Sequence, residues 1–199
     1  MGFLIFIGFI ALIVIAIKLD EKKKLEIKTK ADAKFSEILE QNNINVSKSI
    51  EIKAYQNNLE ANHFYGKFIV DDENKTFSIL NYNLIFDKVD FKCVKYSDLI
   101  NFNLFEDGEQ QIQGKGMMAA GGALLFGVTG AVVGSVAGNS KIKNKCTELS
   151  VRIQINDLQN PLLSVTMLTN TNKSSIWYKF AKQAADEIIA TLTYIENNK

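Results

Sequence analysis

Residues 114–141 read GKGMMAAGGALLFGVTGAVVGSVAGNSK; they hold eight of the chain's twelve glycines and no charge between Lys115 and Lys141. The rest of the 199-residue chain reads mainly as short strands with one polar face. Any fold must therefore accommodate a glycine-rich, uncharged interruption at its middle. Glycine costs about 1 kcal/mol relative to alanine in a water-exposed helix. Helices in this stretch therefore need lipid or a packed partner.

Three uses of the stretch can be weighed. Gly114-Lys-Gly116-Met-Met-Ala119 matches the glycine spacing of a dinucleotide loop. That chemistry needs a parallel βαβ unit and an acidic residue about 20 positions on. Residues 134–140 stand there and carry no acid, so no cofactor is expected. A single membrane span over 116–138 is long enough, at ~34 Å of helix. It would put the strands before and after it on opposite sides of a bilayer, leaving open sheet edges. A hairpin of two short helices, about 117–126 and 128–138, turns near Gly127 and returns the chain to the side it left. Gly130, Gly134 and Gly138 fall at four-residue steps, with Gly122 and Gly127 before them. Such spacing lets helix backbones approach closely. We expect this glycine-zipper hairpin over 114–139, inserted in membrane or packed on protein, and self-association through it.

A second apolar block opens the chain. Residues 2–17 carry no polar side chain and span ~24 Å as a helix, which flanking lysines extend by snorkelling. A cleaved signal peptide needs a basic start and a small-residue cleavage site, and both are missing here. We expect a transmembrane anchor at 1–18 and a charged helical stalk at 19–44. Lys18, Lys22, Lys23 and Lys24 follow the span and no lysine precedes it. The positive-inside rule then places the bulk of the chain in the cytoplasm, with these lysines at the lipid surface. The stalk carries a thin apolar stripe of Leu25, Ala31, Phe35, Ile38 and Leu39. It reads equally as a helix docked on the domain or a sister helix, and as a solvated spacer.

Net charge is +1 and Arg152 is the only arginine, which argues against nucleic acid as a partner. The cysteines, Cys93 and Cys146, have no CxxC spacing, and His63 is the single histidine. No metal site is expected; both cysteines should be reduced, half-buried strand residues.

From residue 46 the pattern alternates with period two: 46–52, 64–70, 75–79, 91–96, 99–105, 109–113, 146–155 and 162–168. Asp71-Asp72-Glu73-Asn74 reads as a hairpin turn. Asp107-Gly108 reads as a tight hairpin turn, since both residues tolerate positive φ. Pro161 lies in the turn after Ile155. The chain closes with an amphipathic helix N-capped by Ser174 or Ser175, its apolar face built from Ile176, Trp177, Phe180, Ala181, Ala184, Ile188, Leu192 and Ile195. The expected fold class is α+β. A mostly antiparallel β barrel or sandwich, at 45–113 and 140–198, is capped by this helix in the manner of a pleckstrin-homology-like domain. Glu106, Asp107 and Glu109 are expected as a solvated cluster at a turn tip. No nucleophile motif is present, and we expect no enzyme.

Val70-Asp-Asp-Glu-Asn-Lys75, Tyr96-Ser-Asp-Leu-Ile-Asn-Phe102, Glu106-Asp-Gly108, the glycine zipper and Leu149-Ser-Val-Arg-Ile-Gln-Ile-Asn-Asp157 occur in this order. In that order the chain resembles small bacterial and phage-encoded proteins in which a glycine-rich insert interrupts a pleckstrin-homology-like domain. The resemblance covers about 62–198 and implies structural motifs, with no catalytic residues to carry over. It implies a non-enzymatic, membrane-anchored interaction protein with an unidentified protein partner. Superinfection exclusion is the class of process it suggests, since some membrane-anchored prophage proteins of this size block other phages. The alternative is a zipper-mediated oligomer that perturbs or permeates the membrane.

Overall fold

The computed structural model describes residues 2–57, 59–113 and 144–199; the side chains of residues 2–14, 17, 59–63, 109, 110, 112 and 113 lie outside the described set. A 40-residue helix, α1 (Gly2–Gln41), opens the chain. Eight strands follow: β1 (Lys48–Gln56), β2 (Leu59–Asp71), β3 (Thr76–Asn83), β4 (Lys88–Lys95), β5 (Leu99–Glu106), β6 (Glu109–Gln113), β7 (Lys145–Ile155) and β8 (Leu162–Asn172). A 3-10 turn at Tyr96–Asp98 separates β4 from β5, and α2 (Ile176–Asn197) ends the fold.

The strands form one curled sheet in the order β4-β3-β2-β1-β8-β7-β5-β6. The first four make a meander, and β5, β7 and β8 pair antiparallel. The departure from an antiparallel sheet is the seam where β8 meets β1 in parallel, over Tyr55↔Leu168 and Gln56↔Thr169. No local alternation encodes that seam. It arises because the second group of strands curls back on the first.

Alternation puts one face of β1 to β5, β7 and β8 into a shared core, including Ile52, Phe68, Phe77, Phe102, Leu104, Leu149, Val151 and Ile153. Helix α2 closes this core with Ala181, Ala185, Ile188, Leu192 and Ile195. Its cap is Ser175, whose hydroxyl accepts the Tyr178 N–H at 3.1 Å. The helix settles on the sheet only after its first turn. Ile176 is 55% and Phe180 45% exposed, against the expectation that both are buried, while Trp177 stacks on Tyr55 at 5.4 Å.

A second core lies on the outer face of β2, β3 and β4. Ala31 and Phe35 of α1 pack there against Tyr65, Ile69, Leu80 and Tyr82. The stalk is thus a docked helix over this part and continuous with the segment before it. Leu25, expected in the same stripe, is 65% exposed, because the helix has left the sheet by that point. Lys28 pairs with Glu51, Lys67 with Asp32 at 2.6 Å, and Lys30 and Lys34 with Asp87.

Among the described residues no helix is long and apolar enough to cross a membrane. The expected anchor, 1–18, falls mostly where the side chains lie outside the described set, with Ile15, Ala16 and Lys18 described and exposed. The glycine-zipper hairpin, with Gly122, Gly127, Gly130, Gly134 and Gly138, lies outside the described residues. Of the cysteines, Cys93 is exposed and Cys146 buried, in place of two half-buried residues. Cys93 sits on edge strand β4, by alternation on the face of Val89 and Phe91 but exposed there, whereas Cys146 belongs to the main core.

Candidate functional site

Strand direction sorts every connection to one of two ends of the sheet. The ends of β1, β3, β5 and β8 and the starts of β2, β4, β6 and β7 share one rim. That rim carries the turns at 84–87 and 107–108 and the start of α2. Helix α1 crosses the sheet from this rim to the other. Lys30 and Lys34 meet Asp87 at the near rim, and beyond the helix end Asn45 N–H donates to Asp71 at the far one. Among the described residues, no residue of α1 before Ile27 packs on either core.

The chain returns from the insert at the near rim, while the strand before the insert, β6, runs away from the rim and ends part-way along β5. The chain leaves the sheet at Gln113, opposite Asn103 of β5. It re-enters at Asn144, whose carbonyl accepts the Lys173 N–H at 2.9 Å, and Lys145 then pairs with Asn172. Strand β5 bonds to β6 on one edge and β7 on the other. The chain on both sides of the insert thus belongs to one continuous ladder, which is incompatible with a single membrane crossing between them.

A polar clamp holds the returning chain. Asp107 (φ 56°) and Gly108 (φ 83°) form the expected turn, both left-handed. Asp107 Oδ1 accepts the Thr147 N–H at 2.6 Å and its hydroxyl at 2.8 Å, tying the β5–β6 turn to the first residues after the insert. Lys173 Nζ reaches Glu106 Oε1 at 2.6 Å and Asp107 Oδ2 at 3.0 Å, and the Tyr178 hydroxyl donates to Glu106 Oε1 at 3.1 Å. The expectation of a solvated carboxylate tip is corrected here: Glu106 is only 8% exposed, because β8 and α2 fold over it. The Glu109 side chain lies outside the described residues.

Burial raises the Asp107 carboxyl, but the Thr147 N–H, the Lys173 ammonium and the Thr147 hydroxyl outweigh it and hold the group down at about 2. Burial lowers Lys173, yet its bonds to Glu106 and Asp107 win and raise it above an ordinary lysine. Burial, then the Asp107 and Glu106 charges, push the Cys146 thiol up to about 12. Glu106, Asp107 and Cys146 could in principle offer a metal three ligand atoms within 4.8 Å of one another. A protonated thiol is a poor ligand, and the Lys173 ammonium already pairs with both carboxylates. This donor set serves the clamp and does not fit a cation.

Of the residues expected at the lipid surface, Lys18, Lys22 and Lys23 are exposed on the part of α1 before Ile27, and Lys24 pairs with Asp20 at 2.9 Å. The sequence reading missed two further apolar residues on this rim, Ile85 and Phe86, which are 71% and 75% exposed. They belong to a turn, where no periodicity marks them. His63 has its side chain outside the described residues.

No curated protein and no solved structure matches the chain. Over residues 53–169 it matches the family described as glycine zipper containing PH domain. The match runs from β1 through the insert to β8, taking in both halves of the split sheet. The chain belongs to that family of pleckstrin-homology domains carrying a glycine zipper.

Proposed function

We propose that the chain is a membrane-anchored, non-enzymatic interaction protein whose insert-bearing rim faces the bilayer. One observation carries this reading: the chain returns from the apolar insert at the same end of the sheet where Lys30 and Lys34 of α1 hold Asp87. An anchor and a dipping hairpin can then engage one membrane without straining the domain. The exposed Ile85, Phe86 and Ile176 lie on that end as well. Among the described residues the domain supplies packing and ion pairs and presents no activated nucleophile, in keeping with the non-catalytic habit of its family.

The zipper spacing Gly130, Gly134, Gly138 favours a second reading, an oligomer that permeates the membrane. Deleting residues 2–17 is expected to release the chain from the carbonate-washed membrane fraction. Gly134→Leu is expected to abolish cross-linked oligomers while leaving membrane retention intact. Dye leakage from liposomes that disappears with Gly134→Leu would favour the permeating oligomer. A chain that stays soluble with residues 2–17 present would overturn both readings.

A further inference from the structure

The seam between β1 and β8 is open over most of its length. Strand β1 carries a bulge between Lys53 and Tyr55, and its ladder with β8 covers two register pairs. A bulge bends its strand and re-aims it. Beside the bulge lies a cleft of about 320 Å³. Three consecutive residues of β8 line it, Ser164, Val165 and Thr166, and three consecutive residues of β1, Ala54, Tyr55 and Gln56. Neighbours along a strand point to opposite faces. A cavity touched by consecutive residues therefore lies along the strand's edge, where backbone N–H and C=O groups point.

The floor is made by Phe64 and Asn81. Asn81 leans over Gly66, where an added Cβ would meet Asn81 Oδ1 at 2.8 Å and the Leu80 carbonyl at 2.9 Å. The Asn81 Oδ1 is buried without a hydrogen-bond partner, an arrangement that costs stability unless something occupies the site. None of the residues lining the cleft is charged. A phosphate headgroup would meet no cation there, and a charged peptide would be desolvated without compensation.

We infer that this seam binds an extended, uncharged peptide segment of a partner protein, which adds to the edge of β8 as a strand. Edge addition draws affinity from main-chain hydrogen bonds and selectivity from pockets for alternate side chains. Here β8 presents the main chain, the Tyr55–Phe64–Leu168 wall takes an apolar side chain, and Asn81 accepts a donor. The inference rests on the reading of the chain as an interaction protein and is independent of the anchor.

The test pans the purified full chain in detergent micelles with a phage-displayed library of uncharged heptapeptides. Enriched sequences are then measured as synthetic peptides. We expect peptides rich in β-branched residues whose binding protects the amides of 163–168 from hydrogen exchange. Their affinity should drop at least 10-fold with Thr166→Lys, which sets a charge at the exposed mouth, and likewise with Ser164→Lys. Both variants should keep the wild-type thermal midpoint and membrane retention, so that a failed cleft is distinguished from a failed anchor. Overturning results are no enrichment over a Thr166→Lys decoy, binding that leaves the β8 amides unprotected, or perturbation of the cleft by inositol trisphosphate in place of peptide.

Discussion

Phe35→Ala is expected to cost about 3–5 kcal/mol, the usual range for truncating a fully buried phenylalanine, and to detach α1 from the sheet. Phe35 is 1% exposed and stacks on Tyr65, with ring centroids 5.9 Å apart and planes 14° from parallel. The ion pairs around it cannot replace this contact. Lys30 and Asp87 each keep about half their side-chain exposure, at 52%, and solvent-exposed pairs of that kind contribute little to stability. The Asp87 carboxyl is held well below the usual carboxylate range, first by the Tyr82 hydroxyl and then by Lys30, but this reports geometry in solvent. The apolar contact therefore decides docking. Hydrogen exchange checks it: amides of 27–41 should lose protection by about 100-fold or more, while the α2 amides keep theirs, because the two cores are separate clusters. Leu25→Ala, on the exposed part of α1, should change neither. Equal loss in α1 and α2 would show that one core, not two, holds the molecule.

Lys173→Met is expected to destabilise the domain by about 2–3 kcal/mol near neutral pH, below the range for a fully buried pair because the lysine side chain is partly wet. The lysine is 33% exposed, but its partners Glu106 and Asp107 are only 10% and 11% exposed. Removing it leaves two carboxylates crowded beside Cys146. The pH dependence has a definite sign. Asp107 titrates at about 2 in the folded chain and at ~3.9 unfolded. Its contribution is present above the unfolded value and is lost as pH falls through about 2. Lys173 is raised, so its contribution is present below the ordinary lysine range and lost only at strongly alkaline pH. The gap in urea midpoint between wild type and variant should therefore be widest above pH ~4 and narrow toward pH ~2. A gap independent of pH would mean that the lysine acts through its methylene stem alone.

Much of the fold was legible residue by residue. Period-two runs located the strands, Asp107-Gly108 located the tight turn, and the Ser174-Ser175 pair located the start of the last helix to within one residue, because each signal is local. The seam between β1 and β8 was not legible, since parallel pairing of strands so far apart in the chain leaves no local trace. Glu106 misled for a related reason. A carboxylate beside a tight turn reads as wet, and its burial depends on Tyr178, 72 residues away. The thin stripe on α1 was compatible with docking and with a solvated spacer. Only Tyr65, Leu80 and Tyr82, facing outward from a sheet whose other face is also buried, decide between them. On the rim, Ile85 and Phe86 sit in a turn, where exposure is set by geometry and not by pattern.

The most direct test of the split-domain account uses one reactive thiol on each side of the insert. Cys93 is exposed on β4, before the insert, and Gln159→Cys adds a site in the exposed turn after it. Cys146 is buried, with its thiol pushed up to about 12, and should stay silent until the chain is denatured. Each site is labelled singly with a membrane-impermeant maleimide in intact spheroplasts and in inverted vesicles, Cys93 being changed to serine for the second. The account predicts that both sites label in inverted vesicles and neither in intact spheroplasts. Labelling of the two sites from opposite sides of the membrane would contradict it, because β5 and β7 could then not share a ladder.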